Sequence, residues 1–225
     1  MERRIDMNEV SDGRLYKAND LVKADCGGCQ GCSDCCQGMG SSITLDPLDL
    51  FWLYRGLQLD FDQLLEGGKI ELNIVDGLIL PNLKMTGPQE ACVFLNREGR
   101  CSIHSLRPGI CRLFPLGRLY ENGSFQYFLQ VHECPKEDRR KIKIKKWLDL
   151  PDPGTYEQFV RDWHYCLKAL QKEVHSDPER IKPVSMELLN RFYRMPWDPA
   201  GDFYGQFYER LEAFRPQQAD TKTEV

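Results

Sequence analysis

The sequence has no run of about 18 uncharged apolar residues, the length that a membrane-spanning helix needs. Its first residues, M-E-R-R-I-D-M-N-E-V-S-D, carry neither an apolar core nor a small-residue cleavage site of the secretory kind. Both absences lead to the expectation of a cytoplasmic protein with no membrane partner. A surplus of one charge is missing too: 30 Lys and Arg stand against 34 Asp and Glu, a net charge of −4, so nucleic acid is not the expected partner. There is no internal repeat and no low-complexity segment. Gly38-Met39-Gly40 lacks the preceding strand that a nucleotide-binding loop requires.

What the chain does have is ten cysteines in 225 residues. A chain of this length buries one well-filled domain with an appendage, or two small ones, without covalent staples. In a reducing compartment so many thiols point to metal or redox chemistry and not to a disulfide framework.

Five of them crowd into C-G-G-C-Q-G-C-S-D-C-C, residues 26–36. Cys26, Cys29, Cys32 and Cys35 repeat the Cys-x-x-Cys spacing without a break, and Cys36 adds a fifth sulfur. A Cys-x-x-Cys turn brings two sulfurs within reach of one metal. Three thiolates at C-x2-C-x2-C spacing, with a distant Cys-Pro, is the bacterial ferredoxin arrangement, and this chain has Cys134-Pro135. Zinc ribbons use two separated pairs instead. Neighbouring Cys35 and Cys36 point in different directions on any regular backbone, so they need not serve one metal atom. The thiols fill two four-ligand sites, or four bind while the rest pack as small apolar side chains.

Around this run the pattern reads as α+β: short helices and a small antiparallel sheet about a cysteine metal site, followed by a helical tail. Asp46-Pro47 is placed as N-cap and first helical residue of a helix over 47–55, and F-D-Q-L-L-E forms a second that ends at Gly67-Gly68. Asp76-Gly77 and Asn122-Gly123, each between alternating apolar runs, are hairpin turns. From Thr155 onward apolar residues recur at helical spacing in three stretches. The expected organisation is an N-terminal arm (1–25), a cysteine-cluster metal-binding domain (26–150) and a helical extension (151–225).

The pattern C-x2-C-x2-C-C at 29, 32, 35 and 36, followed by C-V-F-L-N-R-E-G-R-C-S-I-H-S-L-R-P-G-I-C-R-L-F-P-L-G at 92–117, resembles the YkgJ-type CxxCxxCC cysteine-cluster family of zinc- or iron-chelating domains. The resemblance spans about residues 26 to 135. It implies metal ligands at Cys29, Cys32, Cys35, Cys36, Cys92, Cys101, Cys111 and Cys134. Cys26 is additional to the motif, Cys166 lies outside it, and His104 stands where tyrosine is common.

The leading expectation is a metal-binding protein with an iron-sulfur cluster of the 4Fe-4S type, or else Zn2+, in electron transfer, sensing or metal handling with a protein partner. A second is an S-adenosylmethionine-dependent lysine N-methylase of the flagellin type, which one branch of the family resembles. Neither a Gly-x-Gly-rich turn nor a radical-type C-x3-C-x2-C triplet supports it. A third is a zinc-stabilised interaction module. Whether the protein is an enzyme stays open at this level. Arg107, Arg112 and Arg118 flank Cys111 and are candidates to offset thiolate charge through hydrogen bonds to sulfur. The basic run K-E-D-R-R-K-I-K-I-K-K-W at 136–147 reads as an edge strand or solvated helix.

Overall fold

The computed structural model describes residues 6–27, 32–136 and 138–214. In chain order these form α1 (Met7–Val10), β1 (Leu21–Asp25), α2 (Pro47–Leu57), α3 (Phe61–Glu66), β2 (Ile70–Val75), β3 (Leu78–Leu83), β4 (Met85–Thr86) and β5 (Ala91–Cys92). Then come α4 (Gly109–Leu113), β6 (Leu116–Glu121), β7 (Ser124–Leu129), β8 (Arg140–Lys143), α5 (Ile144–Leu148), α6 (Pro153–Ser176), α7 (Ile181–Leu189) and α8 (Phe203–Phe214). The fold is α+β, as expected. Its strands pair as separate two-stranded antiparallel ribbons, β1 with β8, β2 with β3, β4 with β5 and β6 with β7.

Local chemistry accounts for the elements near the site. Asp46 caps α2 through a reciprocal box: its carboxylate accepts the Asp49 N–H at 2.9 Å, and Asp49 accepts the Asp46 N–H at 3.0 Å. Such a box satisfies two orphan donors at once. Pro47 supplies the first helical residue. Asp60 and Gln63 repeat the box on α3. The turns between β2 and β3 and between β6 and β7 hold two successive residues at positive φ, Asp76 (49°) with Gly77 (86°) and Asn122 (50°) with Gly123 (72°). That backbone matches the right-handed twist of the flanking strands.

The C-terminal helices pack directly on the cysteine-bearing part. Ser185 of α7 accepts the Ile79 N–H of β3 at 3.0 Å, and the Tyr193 hydroxyl donates to the Leu45 carbonyl at 3.0 Å. Phe51 of α2 lies 5.2 Å from Phe203, which joins Phe159, Phe207 and Trp197 in one aromatic core. The chain continues past α7 as a π-helical turn over Asn190–Arg194. No helix among the described residues is long and apolar enough to cross a membrane.

Candidate metal centre

Four separate pieces of chain deliver thiols to one region. Cys35 and Cys36 sit on a single 3₁₀ turn, Asp34–Cys36. That turn is stitched to the strand carrying Cys92: Gln37 forms a bridge with Ala91, and the Gly38 N–H donates to the Glu90 carbonyl at 3.1 Å. Cys101 lies opposite Leu95 across a turn, and the Ser102 N–H donates to the Phe94 carbonyl at 2.8 Å, which fixes it near Cys92. Cys111 rides on α4. The Gly109 N–H of that helix donates to Asp49 Oδ1 at 2.7 Å, and the Arg112 guanidinium donates to the Arg107 and Ser105 carbonyls.

Cys35, Cys36, Cys92, Cys101 and Cys111 act on one another electrostatically. Burial raises the Cys92 and Cys101 thiols, and neighbouring sulfurs raise them further. Burial pushes Cys111 well up, reinforced by Asp49, Cys92, Cys35 and Cys101. The Cys35 and Cys36 sulfurs are 4.0 Å apart. A hydrogen bond from Cys36 lowers the Cys35 thiol to about 7, and the same bond raises Cys36. Arg107 adds to the depression of Cys35 and opposes the rise of Cys101.

A second grouping lies at the surface. Cys26, Cys32, Cys35 and Cys134 line one pocket, with Asp34, Phe114, Pro115, Pro135, Lys136 and Trp147. Cys35 therefore belongs to both groups. Cys29 lies outside the described residues. Cys166 stands apart on α6, its thiol raised to about 12 by burial. Among the described residues no three His, Cys, Asp or Glu side chains stand in metal-holding geometry.

The donor set fits a soft metal or cluster. It consists of thiols, and Arg107 beside them keeps a buried Nε with no hydrogen-bond partner, a donor suited to a thiolate or sulfide. Arg107 Nη1 is 2.8 Å from His104 Nε2. Since guanidinium only donates, that nitrogen is the acceptor and the imidazole proton is on Nδ1. Desolvation and three arginines hold His104 below its ordinary pKa, so the ring stays neutral and its Nε2 can accept from Arg107. Of the other flanking arginines, Arg112 serves backbone carbonyls and Arg118 donates to the Tyr156 hydroxyl at 2.8 Å. His164 stacks on Tyr120 with ring centroids 3.6 Å apart.

Sequence reasoning passes over Asp49 and Trp147. Asp49 is visible only as the third helical residue of a capping box, which does not announce its bond to Gly109. Trp147 is visible only as the end of a basic run. Its indole N–H donates to the Phe114 carbonyl at 3.1 Å, which holds α5 against the thiol pocket.

Residues 28–135 match the CxxCxxCC family, described as a putative zinc- or iron-chelating domain. The cysteine-bearing segment is a domain of that family. An uncharacterized protein of Methanocaldococcus jannaschii is 27% identical over 190 residues, covering 81% of this chain and 94% of the relative. No solved structure matches.

Proposed function

We propose that this zinc- or iron-chelating domain holds an iron-sulfur cluster of the 4Fe-4S type and serves electron transfer, sensing or metal handling in the cytoplasm. The observation that carries it is the gathering of Cys35, Cys36, Cys92, Cys101 and Cys111 from four chain segments beside the unpartnered Arg107 Nε. The Cys-x-x-Cys repeat and Cys134-Pro135 favour a cluster over a single ion. Cys29, Cys32, Cys35, Cys36, Cys92, Cys101, Cys111 and Cys134 are the proposed ligands. When bound, the cluster supplies one-electron redox capacity. The protein's own part is to exclude water at Cys92 and Cys111 and to offset negative charge through Arg107.

A second reading is a closed four-thiolate zinc site at Cys36, Cys92, Cys101 and Cys111, supported by the burial of Cys92 and the partial burial of the other three. Anaerobic purification with iron, zinc and acid-labile sulfide analysis decides between them. A brown protein containing iron and sulfide in equal amounts is expected. A colourless protein with stoichiometric zinc overturns the cluster.

A further inference from the structure

The ribbon of β1 and β8 carries lysines that have no salt-bridge partner among the described residues. Alternation along β1 buries Val22 and Ala24 and turns Leu21 and Lys23 outward. The register places Lys141 opposite Lys23 and Lys143 opposite Leu21, so both lysines share that outward face, while Ile142 pairs with Val22 on the inner one. The next helix, α5, continues with Lys145 and Lys146. Like charges directly opposite each other weaken a ribbon. Arg140 is paired with Asp25 at 3.0 Å. Among the described residues none of Lys23, Lys141, Lys143, Lys145 and Lys146 has a carboxylate in salt-bridge range. In a chain of net charge −4 this is a concentrated exception.

The face also has a position. Cys26 follows Asp25 at the end of β1, and the pocket of Cys26, Cys32 and Cys134 is bordered by Lys136 just upstream of β8 and by Trp147 of α5. Leu21 stands 54% exposed among the lysines. An apolar contact within a charged surround is how protein interfaces are built. Base stacking on single-stranded nucleic acid needs free aromatic faces. The run offers only Trp147, which is half-buried and tied by its N–H to the Phe114 carbonyl. We propose that this lysine face is the docking surface for an acidic protein, seated with its edge over the thiol pocket. The assignment rests on the ribbon and stands whichever metal the cysteines hold.

The test uses the full-length protein and a fluorescein-labelled glutamate-rich peptide as probe, followed by anisotropy. Binding is expected, with a Kd that rises about tenfold between low and physiological salt as screening sets in. The variant K23E/K141E/K143E should weaken binding at least about tenfold, and K182E on α7 should not change it. No binding, or equal binding by the triple variant, overturns the proposal. Tighter binding of an oligonucleotide of equal charge also overturns it and assigns the face to nucleic acid. Should the triple variant fail to fold, acetylation footprinting of the unaltered protein replaces it. The peptide should protect Lys23, Lys141 and Lys143 from acetic anhydride, and uniform labelling with and without peptide is the contrary result.

Discussion

The backbone N–H of Gly109 donates to Asp49 Oδ1 at 2.7 Å, across sixty residues of sequence. This bond ties the first turn of α2 to the helix that carries Cys111. Asp49 is 4% exposed, so the bond is made where water does not compete and its loss leaves a buried carboxyl without that donor.

Replacing Gly109 by Ala tests the junction. A Cβ there would meet the Tyr156 hydroxyl at 2.5 Å and Asp49 Oδ1 at 3.7 Å. A loss of about 1–3 kcal/mol is expected, typical of overpacking, with faster labelling of Cys111 by thiol reagents. Urea unfolding and mass spectrometry read the two effects. Unchanged stability and labelling would show that α4 is not held from this side.

Asp46 supplies a pH dependence. Burial raises its pKa from 3.8 to about 6, and Asp49 moves in the same direction. For a raised group the contribution to stability is fully present below the unfolded value and is lost as pH rises through the folded one. Stability should therefore fall between about pH 4 and pH 6 from this source and then level off. Asn caps a helix as well as Asp does, so Asp46→Asn keeps the cap and removes Asp46's share of the slope, leaving that of Asp49. At neutral pH the variant should equal or exceed the wild type, by up to about 2 kcal/mol after allowance for partial exposure. Parallel slopes for the two proteins in urea titrations at several pH values would exclude this source.

The metal-free Cys35-Cys36 pair should lose its first proton near pH 7, since the bond from Cys36 brings Cys35 down to about 7. Iodoacetamide labelling of Cys35 should then rise through that pH, ahead of Cys92 and Cys101. Cys36→Ala should move the midpoint up toward the ordinary thiol range. A midpoint unaffected by that substitution would mean that the pair is not coupled.

Cys166 is expected to be metal-free. Its place on α6, with a thiol raised to about 12 by burial alone, is that of a small apolar side chain. Cys166→Ala should leave metal content unchanged at a stability cost under about 2 kcal/mol. Elemental analysis of the variant settles the point, and any loss of metal contradicts it.

Removing the metal should act on the two parts of the chain unequally. Chelation is expected to open the region near Cys32–Cys36 to protease, because metal binding energy becomes folding energy where few apolar residues are available. Residues 153–214 should keep their helix, since α6 and α8 share the core of Phe159, Phe203 and Phe207. Limited proteolysis with circular dichroism measures both. Identical protection with and without metal would remove the cysteines from any structural role.

Where short-range chemistry decides the structure, the sequence is a good guide. Asp46-Pro47, Asp76-Gly77 and Asn122-Gly123 state their caps and turns through preferences of single residues, and each occurs in the fold. The long amphipathic α6 is legible for the same reason. The site is legible as a list of cysteines, and not as the division into a buried group and a surface pocket that share Cys35. That division depends on Gln37 meeting Ala91 and on Asp49 meeting Gly109, contacts without any local pattern. β1 was equally hidden: its five residues, L-V-K-A-D, look like the end of a polar arm until β8 pairs with them.

The pairing of β1 with β8 also fixes an order of events. Those two strands join the two ends of a stretch of sequence, 26 to 139, that includes nine of the ten cysteines. On a ribosome that makes the chain from its N-terminus, the full ribbon cannot form until Lys143 has emerged. By then Cys134 and every thiol before it are already outside. The ribbon therefore forms only after all nine of those thiols have left the ribosome.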